Sequence, residues 1–380
     1  MAKNRICLVI ASPLTINFFL LGHIAVLAKE YDLTVITNTD DPNFLAHLGV
    51  PLKVSPLVIE RNVFLWRDLK ALMQLVFIFS RERFNLVHSL SPKSGLLAMI
   101  AAWIVNVPVR IHTFQGEVWI TRKGLWRSFL KFLDMLVARC ATHLLVVSFS
   151  EQKFLVEQGV VSHGRLQILA NGSICGVDTM RFKPDFIVRT SIRASIGIPE
   201  SDTVILYLGR LTMDKGLLVL ADAFSIVAAI HENVHLLVVG PDEEGMQDKM
   251  KIRCTNGFLR LHFADYTAKP EHYMASSDIL CLPSYREGFG LVLIEAAATG
   301  LATIGSRIYG ITDAIVENET GLLFTAGDVG DLTKKMEILI EDPSLRRILG
   351  GNGRVRASRY FSKELVQSEL LRYYKNILSV

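Results

Sequence analysis

Nowhere in this chain do apolar residues run uninterrupted for the ~18 positions that a membrane-spanning helix needs, although half of its 380 residues are hydrophobic and its mean hydropathy is +0.34. The nearest stretch, "GLLAMIAAWIVNVPV", is short and broken by Asn106 and Pro108, so it reads as a buried helix leading into a strand. The opening "MAKNRICLVIAS" passes straight into a β-like segment. Its apolar run is short and no small-residue cleavage site follows, which argues against a secretory signal. Cysteine is scarce: Cys7, Cys140, Cys175, Cys254 and Cys281 show neither CxxC nor Cys/His metal spacing. That excludes the familiar zinc patterns and fits reduced thiols of a cytosolic protein. Low-complexity tracts and short repeats are absent as well.

Net charge is small, at +4, but unevenly spread. Residues 1–185 carry 20 Lys and Arg against 13 Asp and Glu; the remainder carry 21 against 24. A basic first half suits an anionic partner such as a membrane surface, a phospholipid or nucleic acid, and an unevenly charged solvated surface would look the same.

What the chain does have is alternation. "RICLVIA", "DLTVITN", "LVHSL", "VRIHTF" and "HLLVVS" are strand candidates in the first half; "TVILYLGR", "VHLLVVG", "LRLHFA", "DILCLPS" and "LATIGS" repeat the pattern in the second. Continuous apolar strands separated by helical segments indicate parallel sheets covered on both faces. The expectation is an α/β protein of two doubly wound domains facing a cleft. Strand signals lapse over residues 178–202, so the domains are expected at 1–185 and 186–362. A C-terminal amphipathic helix over 363–380 would pack back toward the first, with Leu365, Leu370, Tyr373, Tyr374 and Ile377 as contacts.

Two strand–loop–helix junctions in the second half carry chemistry. In "LYLGRLTMDKGLLVLADAF" the strand ends at Gly209, and Arg210 and Lys215 occupy the loop before a helix that begins near Gly216. Ligands of open α/β sheets bind beyond the carboxyl ends of the strands, where two cations suit a diphosphate; a solvated loop with ordinary surface cations is the plainer alternative. In "PSYREGFGLVLIEAAATG", Gly288 and Gly290 leave backbone amides open at a helix start, which favours phosphate. A dinucleotide fingerprint would need a third glycine at 293, which is leucine, and this argues against NAD or FAD. Glu295 stands among Leu291, Val292, Ala298 and Thr299. A carboxylate on an apolar helix needs dedicated partners. They are either the vicinal hydroxyls of a ribose or a structural pairing with Arg286, Arg307 or a backbone amide.

Gly209-Arg210…Lys215-Gly216, followed by "PSYREGFGLVLIEAAATGLATIGSRIYGITDAIVENETGLLF", resembles the retaining nucleotide-sugar glycosyltransferases of family 4, which have the GT-B fold. "LANGSICGVDTMRFKP" resembles their Asn-Gly…Val-Asp…Phe-x-Pro segment, with four extra residues, Ser173 to Gly176. The likeness is strong over residues 140–330 and weaker before. It implies that Arg210 and Lys215 neutralise the donor diphosphate, and that Glu287 holds sugar hydroxyls. Gly209, Gly288, Phe289 and Gly290 would line the donor, Glu295 would bind the ribose, and Gly310 would line the sugar pocket. It implies neither cofactor nor metal.

The first half departs from the family. The loop after the first strand, "ASPLTINFFLLGHIAVLA", has Gly22 alone where relatives place glycines near the phosphates; Thr15 in this loop becomes an acceptor-pocket candidate. Many relatives carry Thr-x-His-Gly after a later strand. Here "HTFQGEVW" puts Gln115 at the histidine position and His112 three residues earlier, with Glu117 beside Gly116 as a further cleft residue. Gln115 can donate a hydrogen bond but cannot gain charge. "VWITRKGLWRSFLKFLDMLVAR" and "LWRDLKALMQLVFIFSRERF" mix aromatic residues with Arg and Lys. They suit an anionic membrane interface, or core helices with a solvated basic edge.

The expected function is retaining transfer of a sugar, from a UDP-sugar, to a lipid-linked saccharide in lipopolysaccharide, O-antigen or related polysaccharide assembly. The expected place is the inner face of the cytoplasmic membrane, with no nucleic-acid partner. A nucleotide-sugar epimerase of the same fold and a non-catalytic membrane-associated subunit are the alternatives.

Overall fold

The computed structural model describes residues 3–60 and 64–379. The chain divides into two units, residues 1–175 with 363–380, and residues 176–362. The first is built on β1 (Arg5–Ile10), β2 (Asp32–Thr37), β3 (Leu52–Pro56), β4 (Leu86–Leu90), β5 (Val109–Phe114), β6 (His143–Val146) and β7 (Leu166–Gln167). All pair in parallel, in the order β3-β2-β1-β4-β5-β6-β7. The second unit carries β8 (Thr203–Leu208), β9 (Val234–Val239), β10 (Leu261–Ala264), β11 (Ile279–Leu282), β12 (Ala302–Ser306) and β13 (Gly321–Phe324), also parallel, in the order β10-β9-β8-β11-β12-β13. All ten runs singled out in the sequence form strands.

Side chains alternate across each sheet, and helices cover both faces. In the first unit Cys7 and Val9 join one apolar cluster with residues of the helices Leu65–Glu82, Pro92–Ile104, Gly124–Cys140 and Phe149–Glu157. Ile6, Leu8 and Ile10 join another beneath the helices Leu21–Glu30 and Lys363–Leu378. Burial on both faces is why these strands read as unbroken apolar runs. The terminal helix buries Val366, Leu370 and Tyr374, whose hydroxyl meets His88 Nδ1 at 2.5 Å. Leu365, expected among the contacts, is half-buried, and its neighbour Val366 takes the inner position.

In each sheet the strand order reverses once, between β1 and β4 and between β8 and β11. Loops leaving the two strands at such a point diverge to opposite faces and leave a crevice at their carboxyl ends.

Candidate active site

β8 and β11 run side by side, with Ile205 opposite Ile279 and Leu206 opposite Leu280. Their loops are therefore neighbours even though Lys215 and Glu287 lie 72 residues apart. Lys215 Nζ donates to Glu287 Oε1 at 2.5 Å, and Ser284 Oγ donates to the same oxygen at 2.8 Å. Both charged side chains are mostly buried, at 15% and 17% exposed. Alongside, Arg286 pairs with Asp214 Oδ2 at 3.0 Å, Thr212 Oγ1 donates to Asp214 Oδ1 at 2.6 Å, and the Tyr285 N–H donates to the Asp214 carbonyl at 2.9 Å. Burial pushes the Asp214 carboxyl up, but Thr212, Arg286 and Lys215 outweigh it and hold the group below its usual range. Arg210 reaches Glu243 Oε2 at 3.0 Å, while its carbonyl accepts from the buried Tyr207 hydroxyl at 2.7 Å. Lys215, Arg286 and Arg210 thus each rest on a carboxylate.

Backbone donors lie next to these side chains. Gly290 is the N-cap of the helix Leu291–Thr299 at φ 75°, and Gly216 that of the helix Leu217–Ile230; neither helix start has a side-chain cap. Uncapped first-turn N–H groups and the helix dipole favour an anion. Gly310, at φ 82°, is pressed against the same loop: a Cβ there would stand 2.6 Å from the Gly288 oxygen and 2.7 Å from that of Glu287. Only glycine allows that approach. Phe289 is buried against Phe361 with ring centroids 5.2 Å apart, so its ring belongs to the core.

Glu295 is the fifth residue of the helix Leu291–Thr299. Burial pushes its carboxyl up to about 8; the Arg181 guanidinium opposes the shift and the Glu271 carboxylate adds to it. Among the described residues no side chain or backbone amide donates a hydrogen bond to this carboxyl. Arg286 and Arg307, the cations considered for it, pair with Asp214 and Glu317. Arg181, from "VDTMRFKP", was not foreseen; it pairs with Glu271 at 2.7 Å.

In the first unit, Gln115, Gly116 and Glu117 follow β5. With His112, Thr113, Phe114, Ser91, Pro92 and Asp134 they surround a cavity of about 10 Å³. His112 is buried with Nδ1 2.9 Å from Ser89 Oγ and its ring against Gly95, and burial drives its pKa down to about 3. It can serve here only as a neutral imidazole. Asp134 accepts the indole N–H of the fully buried Trp119 at 2.8 Å, yet burial, aided by Glu117, pushes its carboxyl up to about 7. Glu117 is buried beside Glu151. Thr15 is half-buried in the one-turn helix Pro13–Thr15 directly after β1. Of the inserted segment, Ser173 N–H donates to the Val147 carbonyl at 2.7 Å, and the Ile174 carbonyl meets His23 Nε2 at 2.7 Å.

The basic aromatic helices turn outward. Leu65–Glu82 buries Ala71, Leu75 and Phe79 but exposes Leu65, Trp66, Leu69, Met73 and Phe77. Gly124–Cys140 exposes Leu125, Trp126, Phe129, Phe132 and Met135. Both pack against the helix Pro92–Ile104, so the stripes lie on one side of the sheet; exposed Arg67 and Lys70 interleave with the first, while exposed Arg122 and Lys123 precede the second and half-buried Arg127 and Lys131 lie within it. Among the described residues no helix is long and apolar enough to cross a membrane, and no group of three or more His, Cys, Asp or Glu is placed to hold a metal ion.

The family of glycosyl transferases group 1 matches residues 188–356, and a glycosyl transferase 4-like domain matches residues 24–172. The capsular polysaccharide biosynthesis glycosyltransferase CapM of Staphylococcus aureus is 30% identical over 352 residues, 92% of this chain and 87% of CapM. The chain belongs to the group 1 glycosyl transferases. A UDP-Gal:alpha-D-GlcNAc-diphosphoundecaprenol alpha-1,3-galactosyltransferase of Escherichia coli is 28% identical over 301 residues, 77% of this chain and 76% of that one. Among solved structures, HepE of Anabaena in complex with UDP-glucose matches with a TM-score of 0.80 over 98% of this chain and 99% of that chain. At 19% identity that likeness is one of fold, and the fold is GT-B.

In this glycosyltransferase, Gly209, Arg210, Lys215, Glu287, Gly288, Phe289 and Gly290 sit on the loops at one switch point, Gly310 reaches them from the loop after β12, and Glu295 lies farther along the helix. His112, Gln115 and Glu117 line one cavity of the other unit. Sequence reasoning missed Tyr207, Asp214, Ser284, Arg181, Asp134 and Glu151. Only Glu151 had a local signal, the Ser148-x-x-Glu151 spacing of a capping box.

Proposed function

We propose that this enzyme moves a sugar, with retention of anomeric configuration, from a UDP-sugar to a lipid-linked saccharide during assembly of a bacterial polysaccharide or lipopolysaccharide. The observation that carries the reading is the Lys215–Glu287 pair beside Arg210 at the switch point of β8 and β11. A cation for a diphosphate and a carboxylate for sugar hydroxyls are held on each other until the donor separates them. Arg210, Lys215 and the open amides after Gly290 supply the positive charge that stabilises the departing diphosphate, so the reading calls for no metal. Glu287 would orient the sugar hydroxyls, Gly310 keep the pocket wall close, and Glu295 accept hydrogen bonds from the ribose.

In the transfer step the acceptor oxygen bonds to the anomeric carbon on the face from which the diphosphate leaves. The acceptor's hydroxyl proton passes to the departing phosphate oxygen, so no side-chain base is required. Gln115 would donate a hydrogen bond to the sugar, with neutral His112 packed behind it. The exposed aromatic stripes with interleaved Arg and Lys fit a peripheral seat on the anionic inner face of the cytoplasmic membrane. The UDP-Gal donor and diphosphoundecaprenol-linked acceptor named for the E. coli relative support the UDP-sugar and lipid-linked parts of the reading. The test is incubation with a panel of nucleotide sugars and bacterial lipid extract, following nucleotide release and labelled lipid. Nucleotide release that requires lipid is expected. Isomerised donor without lipid would favour epimerisation, and no turnover with any donor would favour a binding role.

A further inference from the structure

Behind the Gln115–Gly116–Glu117 turn lies a carboxyl that the donor site does not use. Glu151, on the helix Phe149–Glu157, is fully buried. Its Oε1 accepts the Gly116 N–H and its Oε2 accepts the Val147 N–H at 3.2 Å, so one side chain ties together the segments leaving β5 and β6. The buried Glu117 carboxyl is its neighbour. Two carboxyls can bond to each other only when one carries a proton to donate. We propose that Glu117 and Glu151 share one proton, and that Glu151 is the positioning residue that fixes the Gln115–Gly116 turn for sugar transfer. The inference rests on the reading above, in which Gln115 meets the reacting sugar.

The surroundings favour the shared proton. Burial and the charge of Glu117 raise the Glu151 carboxyl well above its usual range, against the pull of the two backbone donors. The helix Gly124–Cys140 contributes Asp134, itself pushed up to about 7, and Arg127, whose guanidinium lies 5.1 Å from the Trp119 ring centre. β5 contributes His112, which burial keeps neutral. Because the pKa is raised, the proton is retained below it and lost as pH climbs through it. Two adjacent carboxylates then repel and the turn opens.

The test combines amide hydrogen exchange over residues 113–120 with transfer from UDP-Glc, UDP-Gal or UDP-GlcNAc into bacterial lipid extract. In Glu151→Gln we expect exchange of that segment to quicken at least about tenfold, kcat to fall on the order of 100-fold, and affinity for UDP to stay within about twofold. Glu151→Gln keeps the side chain's shape and serves where Glu151→Ala fails to fold. Glu117→Gln can donate to Glu151 without a shared proton and should flatten the alkaline decline of kcat. Unchanged exchange in Glu151→Gln, quicker exchange with unchanged kcat, or an unaltered alkaline limb in Glu117→Gln overturns the inference. A wild-type protein inert with every donor instead removes the reading beneath it, and with it the role in transfer, while exchange still reports whether Glu151 holds the turn.

Discussion

Replacing Glu295 by glutamine should stabilise the empty enzyme while weakening nucleotide binding. The Glu295 carboxyl sits at about 8 against an ordinary 4.5, because burial disfavours its charge. A raised carboxyl pKa means that the folded state holds a proton that the unfolded state has released. Stability is therefore intact below about 4.5 and declines as pH rises toward 8. At 1.36 kcal/mol per unit, the interval to pH 7.5 sets a ceiling of about 4 kcal/mol. The residue as a whole is only half-buried. Solvent relaxes part of the penalty, and about 2 kcal/mol is the working figure. Glutamine has no proton to release, so it should recover that amount at pH 7.5 and little at pH 5. For a unit of this size the gain is roughly 4–8 °C in Tm. Glutamine also cannot accept from both ribose hydroxyls through two oxygens, which should weaken UDP binding about tenfold. Thermal melts at the two pH values and calorimetric titration with UDP measure both effects. An equal Tm shift at pH 5 and 7.5 would refute burial as the cause, and unchanged UDP affinity would sink the ribose assignment.

Lys215→Ala leaves Glu287 mostly buried without its cation; kcat for transfer should fall by about 10²–10³ and stability by about 1–3 kcal/mol, read by lipid labelling and denaturant melts. Retained transfer would remove Lys215 from the diphosphate site. The double variant W66S/W126S removes two exposed rings from the aromatic stripes and should lower sedimentation with anionic vesicles about tenfold, with stability held within about 1 kcal/mol. Undiminished binding would assign those stripes some other role.

Most strands covered on both faces stood out as apolar runs. β3, β7 and β13, all edge strands, did not: β3 is half-exposed and β7 spans two residues, but β13 is fully buried, so burial alone does not account for it. The two cationic and glycine loops were visible because each lies within a short span between strand and helix. Their partners were not. Asp214 and Arg286 come from loops joined by the pairing of β8 with β11, and nothing local marks either one for the other.

By itself, then, the chain determined that it builds two parallel sheets and which loops carry charge and glycine at their carboxyl ends, since periodicity and turn chemistry act over a few residues. Strand order decided the rest. It set Lys215 on Glu287, left the Glu295 carboxyl without a protein hydrogen bond among the described residues, placed a buried carboxyl pair behind Gln115, and turned the aromatic faces of two basic helices toward solvent. Each of these depends on which distant segments share a dry interior, where unpaired charge is costly and a neighbouring group decides who keeps the proton.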